Sequence, residues 1–150
     1  MKGSVVRRGG PSDIEAVRAL LLGAKLPTED LTSAPGLQTW VLEVAGELAG
    51  AIALEGPGSA ARLLRSLVVA PCHRGRGLGQ SLVARAEDDA RAGGVQQLVL
   101  LTETAQLFFS RLGYRLIERS AAPEQLRQSA EFRSLCPVSA VCMAKKLGRG

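Results

Sequence analysis

Aromatic residues, histidine and cysteine are all scarce in this sequence of 150 residues. Aromatic side chains make up only 3% of the chain, so leucine, valine and alanine must form most of the core. There is one histidine, and the three cysteines, Cys72, Cys136 and Cys142, have no CxxC spacing, which leaves too few ligands for a zinc site. Their odd number also argues against a disulfide framework. We therefore expect no metal, three reduced cysteines and a cytoplasmic location.

Targeting and membrane-spanning segments are missing as well. The first residues, MKGSVVRRGG, lack the apolar core of a signal peptide, and no apolar run approaches the length that crosses a bilayer. No internal repeat, low-complexity tract or long linker divides the chain. Its length fits one domain, residues 1–150, and is sufficient to bury a core. We expect a single globular domain that has no membrane partner.

The composition is otherwise ordinary for a globular protein, apart from an excess of positive charge. Hydrophobic residues make up 46% and charged residues 22% of the chain, and the net charge is +5. This balance suits small anionic ligands and, more weakly, nucleic acid, but an arginine-rich solvated surface explains it equally well. With one Trp and one Tyr there is no interleaving of basic and aromatic residues, so nucleic acid is the weakest interpretation.

Periodicity and turn residues predict a mixed α/β domain. The expected strands are 4–8, 40–45, 48–54, 62–69, 98–101, 114–117 and 138–144. A capping box at Ser12 and Glu15 is expected to start a first helix that ends at Gly23. Further helices are expected at 78–92 and 105–112, and more weakly at 123–135. Gly46 and Glu47 are expected to form a hairpin turn.

The segment VVAPCHRGRGLGQSL, residues 68–82, lies between the apolar strand 62–69 and an amphipathic helix. It does not fit the GxxxxGK[ST] loop, and it fails the GxGxxG pattern because Gln80 stands at the third glycine position. It does fit Arg/Gln-x-x-Gly-x-Gly/Ala, as Arg74 to Gly79. Free amides at a helix start attract phosphate, and glycines let the backbone approach it closely. The pattern therefore predicts a pyrophosphate site.

This stretch and a second segment together resemble the GNAT superfamily of acetyl-CoA-dependent N-acetyltransferases. The resemblance lies in SLVVAPCHRGRGLGQSLV, residues 66–83, and AQLFFSRLGY, residues 105–114, and the strand order agrees over essentially the whole chain. It implies a GNAT-like α/β fold, in which a central mixed sheet of about six to seven strands has helices on both faces. It also implies acetyl-CoA as cosubstrate, a small-molecule amine as acceptor and, since GNAT proteins often pair, a homodimer.

The resemblance assigns roles to main-chain groups of the strand and the loop. In GNAT proteins this strand splays from the next parallel strand, and Leu67 and Val69 would bind the pantetheine arm in the gap. The N–H of Val69 would also polarise the thioester carbonyl. The other residues expected to bind the cofactor are Arg74, Gly75, Arg76, Gly77, Leu78, Gly79, Gln80 and Phe109.

Groups for proton transfer are harder to assign. Many GNAT proteins protonate the leaving thiolate with a tyrosine four residues before the glycine of the second motif, but this chain has Phe109 there, which has no proton to give. Tyr114 is the remaining candidate acid, although the family usually has a packing aromatic at its position. Glu103 and Glu55 are the nearest candidates for a general base, and each can equally be a solvated surface acid. Water can replace either group.

Arg65 lies within a strand that is otherwise almost free of charge. Strand alternation predicts that its side chain shares a face with those of Leu67 and Val69. A buried guanidinium needs an anion, and two interpretations stay open. Arg65 either clamps a substrate carboxylate or forms an internal ion pair, with Glu43 or Glu103 as the nearest partners.

The leading hypothesis is an N-acetyltransferase that moves acetyl from acetyl-CoA to the primary amine of a small, amino-acid-like, anionic substrate in a ternary complex. The alternative, which Phe109 motivates, is a catalytically idle protein that binds or senses acyl-CoA. The segments EFRSLCPVSAVCM, LLRSLVVAP and LTETAQLFFSRLGY are similar to a bacterial subset of GNAT proteins associated with arsenic-resistance operons. Relatives of that subset acetylate amino-acid-like compounds that carry a second acid.

Overall fold

A seven-stranded mixed sheet forms the centre of the fold, in agreement with the prediction. The computed structural model describes residues 3–58, 60–135 and 138–148. Its strands are β1 (Ser4–Arg8), β2 (Gln38–Val44), β3 (Glu47–Glu55), β4 (Ala61–Val69), β5 (Gln97–Thr102), β6 (Arg115–Ile117) and β7 (Val141–Lys146). They lie in the order β1-β2-β3-β4-β5-β7-β6, and β4 and β5 form the one parallel pair among the described strands. The apolar run of β4 therefore occupies the middle of the sheet, as expected.

Four helices cover the two faces of the sheet. They are α1 (Ile14–Gly23), α2 (Leu78–Ala92), α3 (Gln106–Arg111) and α4 (Glu124–Arg127). On one face, α2 and α3 bury their apolar side chains against residues such as Leu64 and Leu98. On the other face, α1 packs against Val68, while α4 packs against Leu63 and Val99. We call these the α2 face and the α1 face.

Four predicted features differ from the structure, and the first is the helix expected at 123–135, which is limited to α4 and a π-type turn at 131–135. The expected capping box does not form, because Pro11 opens a 3-10 turn and the carboxylate of Asp13 accepts the N–H of Gly10 at 2.8 Å. The hairpin turn consists of residues 45 and 46, which both have positive φ (54° and 84°), as the type I′ hairpin turn requires. The last strand begins at Val141 and not at Val138.

A bulge interrupts β4 where it pairs with β3. Ala53 of β3 is opposite Arg65, whereas Ala51, two residues earlier, is opposite Val68, so β4 contains one extra residue over this stretch. Ser66 is the bulged residue, and its φ is +61°. A residue other than glycine adopts this backbone conformation only with steric strain. The extra residue reverses the alternation of side chains along the rest of the strand.

This reversal corrects the prediction that Arg65 shares a face with Leu67 and Val69. The side chains of Leu67 and Val69 pack against the core on the α2 face. Val68 belongs to the core on the α1 face, and its register places Arg65 on that same side. A single strand therefore presents different functional groups to the two faces of the sheet.

Candidate functional site

The main cavity passes through a gap between β4 and β5. The two strands pair only from Ala61 to Leu63 against Gln97 to Val99, although β4 continues to Val69 and β5 to Thr102. We call the unpaired stretch the split. A cavity of about 810 Å³ is lined by residues of the split, by the start of α2 and, on the α1 face, by residues 23–27 and Glu131. The cavity therefore connects the two faces of the sheet.

Main-chain groups of β4 are directed into the split. The N–H of Ala70 donates to the carbonyl of Ala49 on β3 at 2.7 Å. Because successive amides of a strand point to opposite sides, the amides of Val69 and Leu67 point away from β3 and towards the split. Both residues line the cavity. The carbonyl of Val69 accepts a hydrogen bond from Nε of Arg74 at 3.0 Å, which fixes the strand end to the loop that follows.

The loop after β4 delivers the N-terminus of α2 to the cavity. Gly75 and Gly77 have φ values of +82° and +75°, and a Cβ on either would meet no atom within 4 Å, so backbone conformation and not space selects glycine here. Gly77 is the N-cap of the 15-residue helix α2, and the N–H groups of the first helical turn have no partner within the helix. All of the predicted cofactor residues line the cavity except Arg76, which lies beside His73.

The aromatic residues of α3 form the wall of the cavity below this loop. Phe108 and Phe109 both line it, with an edge-to-face contact of 5.0 Å between their ring centroids. Phe109 is 4% exposed and packs edge-on against Tyr114 at 5.4 Å. The position at which many relatives have a tyrosine is therefore occupied by a cavity-lining ring that has no hydroxyl.

Tyr114 does not line the cavity, so the structure does not support its role as an acid. Its hydroxyl donates to Glu87 of α2 at 2.8 Å, and Nζ of Lys145 on β7 contacts the same carboxylate at 3.1 Å. Burial raises the pKa of Tyr114 well above its ordinary value, and the charge of Glu87 adds to the effect. Helical spacing predicts a solvated side chain for Glu87, but this carboxylate is buried and joins α2 to β7.

Glu103 is not supported as a general base. It is exposed, accepts a hydrogen bond from the Ser139 hydroxyl at 2.6 Å and does not line the cavity. Glu55 is not a surface acid either, since its exposure is 1%. Burial raises the pKa of Glu55, while the hydrogen bond from Arg65 opposes that shift.

Arg65 forms an internal ion-pair cluster. Its Nη1 contacts Asp30 at 2.6 Å and Glu55 at 2.8 Å, and its Nε lies 3.2 Å from Glu131. We call these four residues the Arg65 cluster. The Arg65 side chain is 0% exposed. Protein groups therefore surround the guanidinium, and three of them are carboxylates. The ion-pair interpretation is thus correct, but both proposed partners are wrong, because Glu43 pairs with Arg7 and Glu103 is bonded to Ser139.

Sequence reasoning missed two charged residues of the cavity. Glu131 is the only carboxylate among the described residues that line it, and its side chain is 5% exposed. Lys25 follows α1, is exposed and lines the same cavity. Neither residue belongs to a motif. Glu131 opens a short π-type turn (Glu131–Leu135) in a segment predicted only as weakly helical.

The cysteines lie apart from this chemistry. Cys72 is exposed, Cys142 is buried on the α1 face, and Cys136 lies outside the described residues. Burial raises the pKa of Cys142 to about 11, which keeps its thiol protonated at neutral pH. Within the described ranges, no group of three or more His, Cys, Asp or Glu residues has an arrangement that could hold a metal ion. Nor does any helix in those ranges have the length and apolar character needed to cross a membrane.

Comparison with known proteins identifies the domain. Residues 35–116, more than half of the chain, match the model of the acetyltransferase (GNAT) domain. An uncharacterized N-acetyltransferase of Chlorobaculum tepidum, CT2212, is 33% identical over 79 residues, which are 53% of this chain and 48% of that protein. The chain thus spans about half the length of this curated relative.

Solved structures extend the similarity over nearly the whole chain. The N-acetylglutamate synthase of Neisseria gonorrhoeae, in complex with coenzyme A and L-arginine, superimposes with a TM-score of 0.80 at 22% identity. The alignment covers 99% of this chain but 34% of the synthase. Rv2747 of Mycobacterium tuberculosis, in complex with CoA and NLQ, gives a TM-score of 0.79 at 26% identity, and 95% of this chain aligns with 98% of that protein.

The matched domain contains the elements that were built up above from the residues. Residues 35–116 span β2 to β5, and with them the split, the bulge at Ser66 and the glycine loop at the start of α2. The GNAT-like mixed sheet predicted from the two motifs is therefore confirmed. The chain belongs to the GNAT acetyltransferase family.

Proposed function

We propose that this protein transfers the acetyl group of acetyl-CoA to the primary amine of a small molecule, by direct attack in a ternary complex. The observation that carries the proposal is the cavity itself. It extends from the free amides of the α2 N-terminus on one face to residues 23–27 and Glu131 on the α1 face, and it passes main-chain amides of β4 on the way. A thioester bound from one face would be within reach of an amine that enters from the other.

The residues present suit coenzyme A. In the proposed complex, the amides from Gly75 to Gln80 hold the pyrophosphate, since a helix N-terminus carries partial positive charge. The amides of Leu67 and Val69 bind the pantetheine arm, and the Val69 N–H stabilises the negative charge that develops on the thioester oxygen. Arg74 holds the end of β4 in place through the Val69 carbonyl. Phe108 and Phe109 supply an apolar wall.

We further propose that the acceptor is amino-acid-like and carries an anionic group. Three carboxylates already neutralise the Arg65 guanidinium, which makes Arg65 a weak anchor for that group although it lines the cavity. Lys25 takes over the role in this proposal. It lines the cavity on the α1 face, and within the described part of the chain no carboxylate forms an ion pair with it. A carboxylate or phosphinate on the acceptor would find an exposed ammonium there.

Two measurements test the proposed activity. Calorimetry measures the affinity for CoA, and free-thiol release from acetyl-CoA is followed in the presence of amino acids and their analogues. We expect micromolar CoA binding and thiol release that depends on the amine. Failure of CoA to bind would refute the proposal.

A catalytically idle acyl-CoA-binding protein is the second candidate, and Phe109 is the observation that favours it. This candidate predicts tight acetyl-CoA binding without thiol release across the whole amine panel. It also predicts that F109Y, which adds a hydroxyl to a ring that already lines the cavity, creates turnover. Turnover by the wild-type protein would exclude it.

Two narrower proposals depend on the sequence alone. We propose that the chain belongs to the arsenic-resistance-associated subset, from the three segments that resemble it, and that it acts in the cytoplasm. Faster acetylation of phosphinothricin-type amino acids than of ordinary amino acids would support the first proposal. Equal rates on both would contradict it.

A further inference from the structure

Glu131 has a different environment from the other carboxylates of the Arg65 cluster. Asp30 and Glu55 contact the same guanidinium, but they border a separate, smaller cavity of about 200 Å³. Glu131 borders the main cavity, where it lies 3.2 Å from Nε of Arg65. One carboxylate of the cluster therefore borders the main cavity, and Arg65 contacts it there.

Among the described residues that line the cavity, Glu131 is the only carboxylate. The histidine that lines it, His73, lies in the 3-10 turn just before the glycine loop, on the cofactor side. Lys25 and Arg65 are basic side chains at the opposite end, and a cation repels an ammonium ion. Among these described residues, Glu131 is therefore the candidate to accept a proton on the acceptor side.

The charge around Glu131 also favours a cation. Arg65 faces it from β4, and Asp30 and Glu55 lie on the other sides of that guanidinium. Lys25, which follows α1, lines the same cavity. The Arg65 cluster has one positive group for three carboxylates, so its net charge is negative whenever at least two of the carboxylates are ionised. A negative potential attracts the ammonium form in which most primary amines exist at neutral pH.

We propose that Glu131 is the catalytic residue that binds the ammonium group of the acceptor and removes its proton. This inference rests on the proposed function. One proton passes from the ammonium nitrogen to the Glu131 carboxylate, and the neutral nitrogen then forms a bond to the acetyl carbon. The carbon–sulfur bond breaks, and the second proton lost by the nitrogen balances the CoA thiolate. Glu131 returns its proton to solvent.

The pH dependence of kcat/KM distinguishes this role from a structural one. An enzyme that accepts the ammonium form through a carboxylate has a flat kcat/KM from the pKa of the carboxylate up to the pKa of the amine. An enzyme that lacks the carboxylate depends on the small neutral fraction of the amine. Its kcat/KM therefore rises about tenfold for each pH unit below the amine pKa.

The experiment compares E131Q, E131D and E55Q with the wild-type protein. The acceptor is the best amino acid from the panel, and the assay is thiol release between pH 6.5 and 9.5. We expect E131Q to lose about 100-fold in kcat/KM at pH 7. The loss should shrink to less than tenfold near the amine pKa, and CoA affinity should not change. E131D, which keeps a carboxylate, should keep the flat profile.

E55Q is the matched control, because it removes a carboxylate from the same cluster at a position that does not border the main cavity. It should keep the flat profile even if it lowers stability. A flat profile and a change in kcat/KM of less than threefold in E131Q would overturn the inference and leave the proposed function intact. Absence of CoA binding in the wild-type protein would overturn both. If E131Q does not fold, the wild-type profile decides, and a kcat/KM that rises about tenfold for each pH unit below the amine pKa would overturn the inference.

Discussion

Removal of the Arg65 side-chain charge is the sharpest test of the internal architecture. In R65M the guanidinium disappears, and Asp30, Glu55 and Glu131 lose their shared partner. The exposed fractions of these three side chains are 10%, 1% and 5%, so water cannot replace the lost contacts. We expect a large loss in the free energy of unfolding from this single substitution.

The structure allows an estimate of this loss. Removing one partner of a buried ion pair costs about 3–5 kcal/mol, because the other charge is left unpaired. Part of the loss is recovered, because R65M also removes Nη2 of Arg65, which is buried without a hydrogen-bond partner among the described residues. We therefore expect the lower part of the range, about 3 kcal/mol, which corresponds to more than a hundredfold change in the unfolding equilibrium.

The pH dependence gives this prediction a second, independent readout. The pKa of Glu55 is raised by burial even with Arg65 present, and without that cation it should rise further. The folded state then binds more protons than the unfolded state, so the stability of R65M falls as the pH rises through this raised pKa. The deficit relative to the wild-type protein should be largest at pH 7.5 and smaller at pH 5.

The assay uses the single tryptophan of the chain. Trp40 is 1% exposed and its Nε1 donates to Asp89 at 2.7 Å, so its fluorescence should change on unfolding in urea. The control is R18M, which removes an exposed ion pair between Arg18 and Glu15 and should cost less than about 0.5 kcal/mol. A deficit below 1 kcal/mol in R65M, or one that grows at pH 5, would refute the reasoning.

Three further predictions concern the loop, the candidate acid and the thiols. G77A should lose about 1 kcal/mol of stability and bind CoA more weakly, because alanine is strained at a φ of +75°. The control G93A, at a φ of −87°, should change neither the stability in thermal unfolding nor the CoA affinity in calorimetry. Y114F should lose about 1–2 kcal/mol of stability but keep the wild-type kcat, because its hydroxyl hydrogen-bonds to Glu87 away from the cavity. With a thiol reagent at pH 8, Cys72 should react in the folded protein and Cys142 only on unfolding.

Each of these predictions has a clear contrary outcome. Unchanged CoA affinity in G77A would show that the start of α2 does not hold the pyrophosphate. A tenfold lower kcat in Y114F, with normal CoA binding, would return this tyrosine to the list of candidate acids. Labelling of Cys142 as fast as that of Cys72 would show that the α1 face opens readily in the folded state.

The sequence was most informative where the backbone conformation itself restricts the residue type. Gly75 and Gly77 both have positive φ, and a position that needs such a backbone restricts the residue type strongly enough to leave a readable pattern. The long apolar run of β4 was equally clear, because a strand buried on both faces tolerates few polar residues. The stretch from Leu67 to Gln80, most of whose residues line the cavity, could therefore be predicted from short local patterns.

The acceptor side could not be predicted, because its residues come together only in the folded chain. Asp30, Glu55 and Glu131 are separated from Arg65 by 35, 10 and 66 positions, and no local pattern links them. Helical spacing alone places Glu87 on the solvated side of α2. Its carboxylate is buried because Lys145 of β7 and Tyr114 contact it, and both residues are distant in sequence. Side-chain sites depend on such long-range contacts.

The bulge at Ser66 explains how one strand supports both halves of the site. In an unbroken strand, Arg65, Leu67 and Val69 would share one face, and the guanidinium would stand in the gap where the pantetheine arm is proposed to bind. The extra residue turns Arg65 to the α1 face and leaves Leu67 and Val69 on the α2 face. The strained φ of Ser66 is therefore the local cost of directing Arg65 to one face of the sheet and Leu67 to the other within three residues of the same strand. Because that separation depends on chain geometry and not on residue type, any substitution that removes the bulge should disturb both halves of the cavity together.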